Sequence, residues 1–292
     1  MSELTEDEIA RLLLLATIEG NSVYWTREVA RHGPAEVIRK LSEGGYRGER
    51  NSADAIAKRI ESTNIAKLMD ELAGCFLLTP TSSDWPAGLN DLAAPPFALI
   101  GSGQRELLAQ ALHSVSIVGT RNPTQYGTKN AMEFAAALAD RGWTIISGGA
   151  FGIDSAAHRG ALLVEGETIA VLGGGVQTIF PSGNDRLFHE IVTHGLLLAE
   201  VLPRVAAVPH RFLIRNRLIA ALSQGTLVVE AAHRSGSLRT ARDASELMRP
   251  VMAIPGLINS PTSEGCHRLI NERKAELVSS VDEVVEMLSP IG

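Results

Sequence analysis

The sequence predicts an α/β protein, in which a small all-helical domain over residues 1–72 precedes a doubly wound, mostly parallel sheet over residues 73–288. Two observations predict it. Short apolar runs at 115–118, 144–146, 168–172, 196–199, 227–229 and 251–254 are separated by helix-length stretches. Strands buried on both faces read as continuous apolar runs, and alternation with helices gives a parallel sheet covered on both sides. The second observation is the break near residue 73, before which apolar residues keep helical spacing and no strand pattern occurs.

Taken in order, residues 4–18 have a helical apolar pattern, and Thr5 with Glu8 forms a capping box at its start. Gly33-Pro34, Gly44-Gly45 and Asn51-Ser52 then divide the chain into short helices ending near Leu72. Runs 76–79 and 97–100 read as strands joined by a proline-rich link. Beyond them, helices are expected at 128–141, 155–165, 186–193, 212–222 and 237–248, with a last one at 281–288.

Composition narrows the function classes. The chain is 45% hydrophobic and 21% charged without low-complexity tracts, as expected of a globular protein. Its two cysteines, Cys75 and Cys266, are far apart, so no disulfide framework is expected. The first eight residues are acidic where a signal peptide would be basic, and the early apolar run is too short for a bilayer. A cytoplasmic location is expected. The net charge of −6 opposes non-specific attraction to nucleic acid, yet residues 204–249 hold eight arginines against three acids. Arginine suits planar, bidentate contact with phosphate.

In doubly wound sheets, ligands bind where strands end and helices begin. Here those loops are glycine-rich. The first begins Gly119-Thr120-Arg121. The second is Ser147-Gly148-Gly149-Ala150-Phe151-Gly152, which offers successive backbone amides and an aromatic candidate in Phe151. The third starts at Gly173 and continues to Asn184 and Arg186, and the fourth is Ser235-Gly236-Ser237. One glycine turn is only a turn; four at equivalent strand ends predict a phosphate or nucleotide surface. Neither GxxxxGK[ST] nor GxGxxG occurs, which disfavours a P-loop ATPase and an NAD enzyme.

Other residues have plainer readings. Arg215 and Arg217 do not share a helix face; a pair between Arg217 and Glu230 is the structural alternative to ligand contact. His158 reads as packed or capping, and Asp154 as an N-cap. No metal-ligand spacing, GxSxG elbow or nucleophile–base pair is found, so no cofactor, no metal and no catalytic residue is expected.

These motifs together resemble the DprA (Smf) family of DNA-processing proteins. The resemblance rests on Ile117 to Arg121, Ser147 to Asp154 with His158, Thr168 to Gly173, Pro181, Asn184, Arg186-Leu187 and Arg215 to Ala220. It continues through Glu230-Ala231, Ser235 to Ser237, Thr240-Ala241, Pro255-Gly256 and Gly265-Cys266. It implies a Rossmann-like domain that binds single-stranded DNA without cutting it, protects it during natural transformation and helps load the recombinase RecA. It also implies a homodimer and a SAM-like fold for residues 1–72. The strand-binding candidates are Gly119, Arg121, Ser147, Gly148, Gly149, Phe151, Gly173, Asn184, Arg186, Arg215, Arg217, Ser235, Gly236 and Ser237. The chain departs from the family where Phe151 replaces a frequent arginine, Gly149 a leucine, and Arg273-Lys274-Ala275 a usual Gly-Ala. A C-terminal winged-helix domain, common among relatives, is not expected within residues 1–292. The alternatives are a phosphoribohydrolase of the LOG type and a nucleotide sensor. The first uses a PGGxGTxxE glutamate, absent from Ser235 to Asp243.

Overall fold

The computed structural model describes residues 4–46 and 53–289. Five helices come first: α1 (Glu6–Thr17), α2 (Val23–His32), α3 (Pro34–Ser42), α4 (Ala53–Ser62) and α5 (Ile65–Glu71). The capping box is present, with Glu8 N donating to Thr5 Oγ1 at 3.3 Å and Thr5 N donating to Glu8 Oε2 at 2.8 Å. Such a box satisfies two amides that the first turn otherwise leaves unpaired. The Asn51-Ser52 break lies outside the described residues.

Nine strands form one sheet: β1 (Phe76–Leu78), β2 (Leu99–Gly103), β3 (Ser114–Val118), β4 (Thr144–Ser147), β5 (Thr168–Leu172), β6 (Leu196–Ala199), β7 (Gly225–Val228), β8 (Val251–Ala253) and β9 (Glu276–Leu277). Their order is β1-β2-β6-β5-β4-β3-β7-β8-β9; β1 and β2 are antiparallel to their neighbours, and the rest pair in parallel. The crossover helices are α6 (Gln125–Ala139), α7 (Ile153–Leu163), α8 (Asp185–His194), α9 (Pro209–Leu222) and α10 (Ser237–Glu246), followed by α11 (Glu264–Asn271) and α12 (Val281–Leu288). The doubly wound α/β reading therefore holds. β9 and α11 were not foreseen, and α9 starts earlier than residue 212, at Pro209, where a missing amide is tolerated.

Alternation along the strands gives each sheet face its own core. In β5, Ile169 and Val171 meet Leu218, Ile219 and Ala244 of α9 and α10, whereas Ala170 and Leu172 face Phe188 and Ile191 of α8. The helical segment is tied into the second of these clusters by Leu12, Leu13, Leu68 and Leu72, and it has a cluster of its own around Trp25, Val37 and Leu41. It also meets α9 in polar contacts, where Arg211 donates to Glu19 at 2.7 and 2.9 Å.

The topology fixes where a ligand fits. From β3 the chain winds through β4 and β5 to β6, then crosses back to β7 on the other side of β3. The adjacent carboxyl ends of β3 and β7, with Val118 opposite Val228, form the switch point where crevices open in such sheets.

Candidate nucleic-acid interface

A cavity of about 280 Å³ lies at this switch point. Gly119 and Arg121 enter it from the end of β3, Ala150 from the β4 loop, Asp154 from the first turn of α7, Phe212, Arg215 and Asn216 from α9, and Ser235, Gly236 and Ser237 from the start of α10. Of the sequence candidates, the cavity thus brings together Gly119, Arg121, Arg215, Ser235, Gly236 and Ser237.

Arg215 is the central group. Only 5% of it is exposed, and its Nε and Nη1 are buried without a hydrogen-bond partner among the described residues. It lies so close over Gly148 that a Cβ there would overlap the guanidinium, which explains the glycine. Burial pushes its pKa down to about 10, with Asp154 opposing and Arg121 adding to the shift, so it stays charged at neutral pH. A buried guanidinium with unused donors beside a second cation makes a site for an anion. Asp154 is held beneath it by the backbone amides of Ala150 and Gly148, and burial pushes its carboxyl pKa up against the pull of Arg215. Asp154 is not the N-cap: that position is Gly152, whose φ of 84° favours glycine and where a Cβ would strike the Thr120 carbonyl.

The Arg121 loop is braced from the neighbouring strand. Thr120 N donates to the Glu230 carbonyl at 2.7 Å, and the Glu230 carboxylate accepts from Thr124 N at 2.8 Å, Thr124 Oγ1 at 2.7 Å and Thr262 Oγ1 at 3.0 Å. Glu230 therefore does not pair with Arg217. Arg217 Nη2 instead donates to both oxygens of Glu200, each at 2.6 Å, because α9 passes the end of β6 before it reaches β7. At the mouth, the Phe212 ring carries the Arg121 guanidinium 5.1 Å from its centroid and meets Phe180 at 5.6 Å. Phe212 was missed from sequence. Its signal was its place one turn before Arg215 on the same helix face.

The other candidates are placed differently. Ser147 is buried and donates to the Ile117 carbonyl at 2.7 Å. Asn184 braces the second loop, donating to the Gly149 carbonyl at 3.0 Å and to Ser155 Oγ at 2.7 Å. Gly149 is buried against Phe188, and Gly173 seats the Phe212 ring. Phe151 is 47% exposed over Gly183, and Arg186 is exposed and paired with Glu190. His158 is fully buried: the Thr168 hydroxyl donates to the Ile145 carbonyl, so His158 Nδ1 donates to Thr168 Oγ1 at 2.7 Å. At the turn opening α10, Gly236 is the N-cap and the first amides are used within the turn: Ser237 N donates to Ser235 Oγ at 3.4 Å, Leu238 N to the Ser235 carbonyl at 3.2 Å and Arg239 N to the Gly236 carbonyl at 3.0 Å. Ser235 and Ser237, whose hydroxyls hydrogen-bond each other at 2.7 Å, line the cavity here.

These features define an α/β protein with a switch-point crevice lined by two arginines and a helix start. The family is given by the sequence: residues 76–289 match the DNA recombination-mediator protein A family, and the chain belongs to it. It is 36% identical over 208 residues to the DNA processing protein DprA of Bacillus subtilis, covering 71% of this chain and 69% of that one. The structure of DprA from Streptococcus pneumoniae superposes with a TM-score of 0.83 at 32% identity, covering 97% of this chain and 98% of that one. DprA from Helicobacter pylori, whose structure describes a single-stranded DNA binding mode, gives 0.67 at 31% identity over 73% of this chain and 95% of that one. No helix among the described residues is long and apolar enough to cross a membrane, and no cluster of three or more His, Cys, Asp or Glu residues suits a metal ion.

Proposed function

We propose that this chain binds single-stranded DNA in the switch-point crevice, holding phosphates between Arg121 and Arg215 beside the Ser235–Ser237 turn that opens α10. The observation that carries the reading is Arg215, a buried guanidinium in the crevice with donors that no protein group uses. Phe212 at the mouth offers a π face to any base, so binding is tolerant of sequence. The H. pylori relative, with its single-stranded DNA binding mode, supports the same reading. Of the remaining candidates, Gly148, Gly149, Ser147, Gly173 and Asn184 shape the crevice, while Phe151 and Arg186 lie outside its lining. In the cell the protein would work in the cytoplasm as a homodimer that protects the strand and helps load a RecA-type recombinase, without cutting DNA.

The test is anisotropy titration of fluorescent single-stranded oligonucleotides, with duplex DNA and a mononucleotide as competitors. Single strands should bind more tightly than duplex, and the mononucleotide should compete weakly. Tight, saturable mononucleotide binding with indifference to DNA would move the crevice to a sensor or hydrolase role.

A further inference from the structure

The crevice does not end at the α10 turn. A second cavity of about 360 Å³ shares Leu213, Ser235 and Gly236 with it and runs between α10 and α11. Its walls carry Arg234, Arg239, Arg242, Arg268 and Lys274 against Glu246 and Glu272. Several of these cations are already paired: Arg239 with Asp243 at 2.7 Å, Arg268 with Glu272 at 2.7 Å, and Lys274 with Glu272 at 2.6 Å. Arg234 and Arg242 are exposed and have no hydrogen bond or ion pair among the described residues.

This local charge is the reverse of the chain as a whole, whose net charge is −6. At the far end Arg273, next to Lys274, has a φ of 54°, the left-handed region that favours glycine. A long cation thus stands where the backbone would favour a residue without a side chain.

We propose that this groove is the continuation of the DNA path: a strand held in the crevice turns over Ser235-Gly236 and lays its backbone along α10, with phosphates at Arg234 and Arg242. The proposal rests on the reading of the crevice as a single-strand site and adds the direction in which the strand leaves it. Single-strand grooves combine stacking platforms with cationic tracks, and here Phe212 is the platform and α10 the track. The 10 residues of α10 span about 15 Å, which at about 3.4 Å per stacked nucleotide is room for roughly four more. The chemistry recognised is the phosphodiester, so no base preference is expected along this stretch.

The experiment compares Arg234→Ala/Arg242→Ala with the wild type, using single-stranded oligonucleotides of about 6 and about 25 nucleotides at several salt concentrations. A second double variant, Lys58→Ala/Lys67→Ala, removes the same charge from the exposed surface of the helical segment. Both groove arginines are exposed, so the melting temperature should not change. The groove variant should bind the short strand as the wild type does and the long strand roughly five- to tenfold more weakly, with a salt slope lower by about 1.4, or about 0.7 per lost phosphate contact. Equal weakening on both lengths, no weakening on either, or equal weakening by the control variant would overturn the groove and leave the crevice reading intact. A wild type that binds neither strand would instead remove the crevice reading, and the groove with it.

Discussion

Arg217 and Glu200 form a pair that the structure makes costly to break and cheap to replace. Their side chains are 6% and 9% exposed, and a single nitrogen, Arg217 Nη2, serves both carboxylate oxygens. Arg217 Nε and Nη1 are buried without partners among the described residues, so the pair offsets little of its own desolvation. Burial pushes the Glu200 carboxyl pKa up while Arg217 pulls it down. Arg217→Met removes that pull and strands a buried carboxylate, a loss of about 3–5 kcal/mol. At about 2–4 °C per kcal/mol, the melting temperature should fall by roughly 6–20 °C at pH 7. In this variant the Glu200 pKa stands above its unfolded value, so the deficit grows as pH rises above the unfolded pKa and shrinks as pH falls toward about 4.5. Arg217→Met/Glu200→Met should recover to within about 2 kcal/mol of the wild type, since apolar replacement of a buried pair is often neutral. Differential scanning calorimetry at two pH values reads the stability, and anisotropy well below the melting point reads DNA binding. An unchanged melting temperature in Arg217→Met together with lost DNA binding would refute the structural role and make Arg217 a ligand residue.

Other perturbations follow from the same geometry. Glu230→Ala removes the acceptor of Thr124 and Thr262 and should lower stability by about 3 kcal/mol and weaken single-strand binding, although Arg121 is retained; a stable variant with wild-type binding would contradict the brace. Phe212→Ala should weaken binding by about 1–3 kcal/mol, the worth of one stacked base, equally for purine and pyrimidine strands in titrations. Phe151→Arg adds a cation at the exposed rim and should steepen the salt dependence by about 0.7, read from affinities at a series of salt concentrations. Burial, and then the charge of Arg215, lowers the His158 pKa to about 3, so the unfolded chain takes up a proton first as pH falls below 6.5. His158 should therefore subtract about 1.4 kcal/mol per pH unit between pH 6 and 4, a slope that denaturant titration of His158→Asn should lack.

Strands buried on both faces were legible because their apolar runs are continuous: β5 and β6 occupy the expected 168–172 and 196–199. β9 was not, since its two exposed residues carry no period, and α11 was hidden because only Gly265, Cys266 and Leu269 are buried along its 8 residues. The glycine loops pointed to a crevice at the strand ends, but not to which of their residues line it. Ser147 and Asn184 are small polar residues in such loops, and both turned out to hold backbone in place. Partner choice was the least legible feature. Glu230 stands at a strand end close to Arg217 in sequence, yet α9 passes Glu200 first, and only the strand order reveals this. The same crossing puts Arg215 and Phe212 over the switch point, where the sequence marked the arginine and left the ring unremarked.

The central claim is that Arg121 and Arg215 hold phosphates of a single strand. It is tested most directly by the salt dependence of single-strand affinity for the wild type, Arg121→Ala and Arg215→Met. The account predicts slopes lower by about 0.7 in each variant than in the wild type, with folding intact. Wild-type affinity and slope in both variants would contradict it and place the strand elsewhere on the protein.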